Sequence, residues 1–228
     1  MTDAQIEALE LLKIIDEICV EKRLLYTLGN RAMMNYEYKH GEEYFNPNSI
    51  TVCLLYDDYQ NLLKHLHEHR EEHNIEIMNY LNAENFDSLS TWIMHSGKSL
   101  LPKGREKDEC YYRTRLILTP IFYAGKDKNE CKRTCKYVEH VFNYMDCRWP
   151  LPHKRLLSPI KNKIARTKQR YYCLQKNNYK YSVADLIDTL HKNKSGTEYL
   201  MYKNDGRSTA WMRSDEFDTE RVQFYGVE

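Results

Sequence analysis

The sequence predicts an α+β fold in which a mixed β-sheet is flanked by helices. Three observations predict it. A long amphipathic helical pattern opens the chain, an apolar run at Ile50–Leu55 passes into a second helical pattern, and the period-two segment Tyr111–Tyr123 is long enough to be a central strand. Strands and helices are mixed without strict alternation, which points to α+β.

Taken in order, Thr2 with Gln5 three residues on is a capping-box start, and Ile6, Leu9, Leu12, Ile15, Ile18 and Cys19 follow at helical spacing to about Arg23. Leu24–Leu28 reads as a short strand that stops at Gly29, with Arg31–Tyr36 able to form a helical turn. Residues 37–49 carry charges, Gly41, Asn46, Pro47 and Asn48, the composition of a surface loop. Ile50–Leu55 is a buried-strand pattern. Asp57, Asp58 and Gln60 then open a helix with Tyr59, Leu62, Leu63 and Leu66 on one side, and the two acids are expected to cap its N-terminus.

Ile75, Ile77 and Asn79 alternate as a strand, and a second strand is expected through Ser90–Met94 before Gly97. After Tyr111–Tyr123, two helical stripes follow: Cys131, Cys135, Val138, Phe142 and Met145, then Leu156, Leu157, Ile160, Ile164 and Tyr171. Ser182–Lys192 gives another short helix. Glu198–Met201, Thr209–Met212 and Val222–Tyr225 read as short terminal strands. No internal repeat or low-complexity segment interrupts the pattern.

The composition bounds the function. With 228 residues and 42% hydrophobic content the chain can fill a core, and 34 Lys+Arg against 33 Asp+Glu leave a net charge of +1, so no whole-chain field draws it to nucleic acid or an anionic membrane. There is no run of about 18 apolar residues, and Met1-Thr2-Asp3-Ala4 is neither a basic leader nor a cleavage-type site. A soluble, unexported chain is expected. Seven irregularly spaced cysteines fit free thiols in a reducing compartment, so the cytoplasm is the expected location.

The order of helix, short strand, Gly-led turn, polar loop, apolar strand and Asp57-Asp58-Tyr59 helix start resembles the LicD family, which includes bacterial phosphocholine transferases and fukutin-like polyol-phosphate transferases. Leu11–Leu28 matches the family's Leu-rich helix and aromatic strand, Gly29-Asn30 its pair of small residues, and Val52–Leu55 with Asp57–Tyr59 its apolar run and helix start. Leu116–Phe122 resembles its Asp-Ile-Phe-like strand and Phe224–Val227 its aromatic-X-Gly-Val segment. The family's Tyr-Gly-Asp-like ending has no counterpart before Glu228. The resemblance covers nearly the whole chain and implies a single nucleotidyltransferase-like domain over 1–228. Its core would be 1–125, with a helical insertion at 126–195 and terminal strands at 196–228 returning to the core.

In that fold, two carboxylates one residue apart on a strand face the same side, and a third comes from the neighbouring strand. Together they hold Mg²⁺, which offsets phosphate charge and positions an in-line displacement. Aligning back from Asp58-Tyr59 puts the first two acids at Ser49 and Thr51, and the Asp-Ile-Phe motif puts the third at Pro120. None of the three is a carboxylate. The expectation is a catalytically degenerate relative with a binding or regulatory role and no cofactor. A nucleotide or phosphorylated glycan is its implied ligand, with Gly29, Asn30, Arg113, Arg115, Lys161, Lys163, Arg166 and Lys168 as candidate binding residues.

An active phosphotransferase remains the alternative: with Mg²⁺ on acids recruited from elsewhere, it would move phosphocholine or a similar group from a nucleotide diphosphate donor to a cell-surface glycan.

Other constellations have structural explanations. Cys131 and Cys135, near Cys110, Cys147 and His140, lie on an apolar stripe and read as buried thiols rather than zinc ligands. His65, His67, His69 and His73 include i,i+4 pairs, but they sit among Lys64, Glu68, Arg70, Glu71 and Glu72, the composition of a solvated helix face. Between Asp146 and Asp185 there are ten Lys/Arg and no acid. Interleaved with Leu156, Leu157, Ile160 and Ile164, they make a basic amphipathic helix that could face a polyanion or be a solvated face balanced elsewhere. A nucleic-acid binder ranks last, because aromatic stacking platforms are not evident beside that helix. Arg113 and Arg115 share one face of their strand, where they could line the cleft or pair with Glu106, Asp108 and Glu109.

Overall fold

The computed structural model describes residues 2–29, 50–82, 88–97, 113–146, 186–188, 190, 194–203 and 209–217. In chain order its elements are α1 (Asp3–Lys22), β1 (Tyr26–Leu28), β2 (Thr51–Leu55), α2 (Tyr56–Glu68), β3 (Ile75–Met78), β4 (Thr91–His95), β5 (Leu116–Gly125), α3 (Lys128–Asp146), β6 (Tyr199–Lys203) and β7 (Thr209–Arg213), followed by a 3₁₀ turn at Ser214–Glu216. The seven strands form a mixed sheet packed against helices, the α+β architecture that the patterning predicts. The chain divides into two compact units. One comprises Met1–Asn79, Leu89–Ile121 and Phe217–Glu228; the other comprises Tyr80–Ser88 and Phe122–Glu216.

In the first unit α1 starts at the capping box read from the sequence. The Gln5 amide donates to Thr2 Oγ1 at 3.3 Å and the Thr2 amide to Gln5 Oε1 at 2.8 Å, which satisfies two of the donors a helix start leaves open. The helix ends at Arg23, in the left-handed conformation. The strand order is β1-β2-β5-β4-β3. β1 is antiparallel to β2, β2 parallel to β5, and β4 antiparallel to both β5 and β3.

The core lies where α1 and α2 cover one face of this sheet. Leu11, Leu12 and Ile15 from α1 and Leu62 and Leu66 from α2 close over Val52, Leu54, Ile75, Ile93, Leu116 and Leu118. Each such Leu or Ile contributes roughly 1.5–3 kcal/mol by leaving water. Tyr59 ties α2 to the sheet, its buried hydroxyl 2.7 Å from Thr91 Oγ1.

Two element boundaries differ from the sequence reading. β5 begins at Leu116 rather than Tyr111, because its ladders start there: Ile93 pairs with Leu116 and Thr51 with Ile117. Alternation continues in the sequence before the first laddered residue. α2 starts at Tyr56, with Leu55 at the N-cap and no side-chain cap bond, so Asp57 and Asp58 lie within its first turn instead of capping it. There they still complement the helix dipole. Asp58 reaches outward instead, its Oδ2 accepting the Leu25 amide at 3.2 Å and tying the helix to the lead-in of β1. The segments Arg31–Tyr36, Leu156–Tyr171 and Val222–Tyr225 lie outside the described residues.

In the second unit β6 pairs antiparallel with the far end of β5, from Phe122↔Met201 to Gly125↔Tyr199 with a register shift before Gly125, and β7 completes a hairpin. Gly125 has φ +132°, a region L side chains rarely adopt, and a Cβ there would meet Glu130 Cγ at 2.5 Å. That space lets Glu130 accept the Lys126 amide at 2.8 Å while Asp127 Oδ1 accepts the amides of Asn129 and Glu130, so α3 begins on a fully bonded turn. Those amide bonds hold the Asp127 carboxyl below its ordinary range. Cys131, Cys135 and Val138 are buried along α3, as their shared stripe predicts.

Candidate functional site

The segments Ile50–Leu55 and Leu116–Phe122 are neighbours in one sheet, and their parallel register fixes which side chains share a face. Thr51 pairs with Ile117, Val52 with Leu118, Cys53 with Thr119, Leu54 with Pro120 and Leu55 with Ile121. Side chains alternate along a strand, so Val52, Leu54, Leu116 and Leu118 enter the core beneath the helices while Thr51, Cys53, Ile117 and Thr119 project to the opposite face. Trp92 joins them from β4, opposite Ile117, and Met78 and Glu76 continue the face on β3.

This alternation separates two of the residues the motif alignment brought together. Thr51 stands on the face of the sheet away from α1 and α2, and Pro120 stands with Leu54 on the face they cover. The position of β5 that shares Thr51's face is Thr119, one residue earlier. Its hydroxyl is 2.9 Å from Ser90 Oγ. Motif matching could not place it, because a one-residue slip exchanges the two faces of a strand and the parallel register is not written in either strand alone. Thr51 and Thr119 are both buried, at 8% and 4% exposure, so a carboxylate at either would need a cation or a donor beside it.

Gly29 is at the edge of the same face. Its amide donates to the Thr51 carbonyl at 2.6 Å, and a Cβ on Gly29 would lie 2.8 Å from the Cβ of Thr51. The glycine therefore permits close approach of the chain to Thr51, a role that needs no ligand.

The two arginines also reach this side of the sheet. Arg113 donates from Nη1 to Glu76 Oε2 at 2.5 Å and from Nη2 to the His95 carbonyl oxygen, and it is buried. The guanidinium holds the Glu76 carboxyl below its ordinary range, outweighing partial burial, and the Gly97 amide adds a further bond. Arg115 lies over the Trp92 ring, its Cζ 4.0 Å from the ring centroid. Arg113 is thus engaged by Glu76. Glu106, Asp108 and Glu109, the acids considered as its partners, lie outside the described residues, as do Ser49, Asn30, Lys161, Lys163, Arg166 and Lys168.

No family model, curated protein or solved structure matches this chain. The chemistry of the face is therefore read from its residues. Among the described strand residues on it, the carboxylate is Glu76, already bonded to Arg113, and the remaining groups are hydroxyls, a thiol, apolar side chains and the Arg115–Trp92 stack. Among the described residues no three His, Cys, Asp or Glu side chains are grouped to hold a metal ion, and no helix is long and apolar enough to cross a membrane. Such a face can accept and donate hydrogen bonds. Its hydroxyls are poor ligands for a hard divalent cation, which takes carboxylate oxygens.

Proposed function

We propose that this chain is a LicD-like nucleotidyltransferase-fold protein that has lost its metal-binding acids and acts by binding rather than by transfer. The observation that supports the reading is the parallel pairing of β2 with β5, the two strands that would bear the acids on this reading, with the hydroxyls of Thr51 and Thr119 on one face and no carboxylate among their described residues. Two further features support it. The helix that follows β2 without a loop carries Asp58 and Tyr59 in structural roles, and Gly29 abuts Thr51 at the place of the family's small-residue pair.

The ligand class that suits this reading is a nucleotide or phosphorylated glycan bound without metal. The active-transferase reading requires acids supplied from elsewhere in the chain. Binding of CDP-choline and of CMP, each measured by calorimetry with EDTA and with Mg²⁺, tests the proposal. Metal-independent binding of either supports it, and divalent-dependent turnover of the donor contradicts it.

A further inference from the structure

The strongest unused cluster is the histidine-rich end of α2. The chain stays helically wound past the last residue of α2: the His69 amide donates to the His65 carbonyl at 3.0 Å and the His73 amide to the His69 carbonyl at 3.1 Å. That winding stacks three imidazoles on one side. The rings of His65 and His69 are 4.3 Å apart and those of His65 and His73 are 6.5 Å apart. All three are half-buried, whereas His67 points into solvent. His67 thus lies on the solvated face that the composition predicts, and the other three are partly exposed beside it.

We propose that His65 and His69 chelate a borderline divalent transition-metal ion of the Zn²⁺, Ni²⁺ or Cu²⁺ class, with solvent or an external ligand completing its shell. Imidazole nitrogens bind such ions at about 2.0–2.1 Å. Two rings bonded at that distance at roughly a right angle, as in a tetragonal site, have centroids about 4.5 Å apart, near the observed 4.3 Å. His73 stands outside this pair, which agrees with the absence of a ready three-ligand group among the described residues.

Two surroundings favour the pair. Glu72 Oε2 is 3.0 Å from His69 Nδ1, the carboxylate–imidazole contact that fixes the tautomer and leaves Nε2 as the ligand atom. The C-terminal end of a helix favours positive charge. The charges facing the cluster from α1 are Glu21, which favours a cation, and Lys22, which opposes one and is itself bonded to Glu21. Imidazole ligands select against Mg²⁺ and Ca²⁺.

The test uses the full chain freed of metal with EDTA. Calorimetric titration with Ni²⁺ and Zn²⁺ at pH 7.5, and the Cu²⁺ electron paramagnetic resonance spectrum, are compared with those of His65→Asn, His69→Asn, Glu72→Gln and the exposed control His67→Asn. The expected result is one site with imidazole nitrogen coupling in the Cu²⁺ spectrum. Affinity falls at least about tenfold in His65→Asn and His69→Asn, falls less in Glu72→Gln, and stays unchanged in His67→Asn. The spectrum of the unaltered protein decides the matter if a variant folds poorly. Absence of binding, a spectrum without nitrogen coupling, or equal affinity in the His65→Asn/His69→Asn double variant overturns the proposal.

Discussion

The backbone of Gly29 lies so close to Thr51 that a Cβ on the glycine would stand 2.8 Å from the threonine Cβ and 2.9 Å from its Cγ2, while the Gly29 amide bonds the Thr51 carbonyl at 2.6 Å. Both atoms in the way belong to a buried β-branched side chain on an inner strand, so neither can swing aside. Gly29→Ala should destabilise the protein by about 1–3 kcal/mol, as overpacking does. Thr51→Gly in the same chain should recover part of that loss. Denaturant melts of the two single variants and the double variant measure the coupling, and additive effects would show that the two residues do not clash.

The Glu76–Arg113 pair predicts a pH dependence. Arg113 depresses the Glu76 carboxyl, so the pair's contribution is present above the pKa of the unfolded glutamate and is lost as pH falls through the lower folded value. Glu76→Gln should lower the urea midpoint at pH 7, because it leaves the buried Arg113 charge without its acid. The difference from the unaltered protein should shrink as pH falls below the ordinary carboxylate range. A difference independent of pH would mean that Glu76 acts through shape alone.

Burial raises the thiols of Cys19 and Cys135 from an ordinary 9.0 to about 12, and that of Cys131 in the same direction. A raised thiol stabilises the fold fully below pH 9 and loses that contribution as pH climbs towards 12. The unfolding midpoint should therefore fall above pH 9, and fall less steeply in Cys19→Ala. At pH 8 these three thiols should react with a disulfide reagent only after denaturation. Mass mapping of labelled peptides reads this directly, and prompt labelling of Cys135 in the native protein would contradict its burial.

The main elements were legible because each carries its own signal. The Thr2–Gln5 capping box fixed the start of α1, and the apolar stripes gave α2 and α3 with the correct buried faces. What sequence could not give was pairing. Tyr111 to Arg115 alternate as well as Leu116 to Leu118 do, yet among the described residues the ladders of this strand begin at Leu116, and the choice between Thr119 and Pro120 rests on a register between strands some sixty residues apart. The roles of Arg113 and Arg115 were hidden for the same reason. Their partners, Glu76 and Trp92, come from other strands of the sheet.

If the face bearing Thr51 and Thr119 has kept the geometry of a cation site, replacing its hydroxyls should recreate one. In Ser49→Asp/Thr51→Asp/Thr119→Asp, the carboxylates that replace the buried Thr51 and Thr119 hydroxyls are desolvated on one face, so the metal-free variant should melt below the unaltered protein. Mn²⁺ at about a hundred times its dissociation constant should return roughly 2.7 kcal/mol. A thermal melt with and without Mn²⁺ measures both effects. Destabilisation with no recovery in Mn²⁺ would show that the side chains do not converge.

The central claim is the loss of metal-dependent transfer, and a turnover assay tests it most directly. The full chain is incubated with CDP-choline and either Mg²⁺ or Mn²⁺, with and without a glycan acceptor, and release of CMP is followed by chromatography against an EDTA control. The account predicts no release above that control. Divalent-dependent release of CMP that scales with protein concentration would contradict it and require carboxylates from elsewhere in the chain to hold the metal.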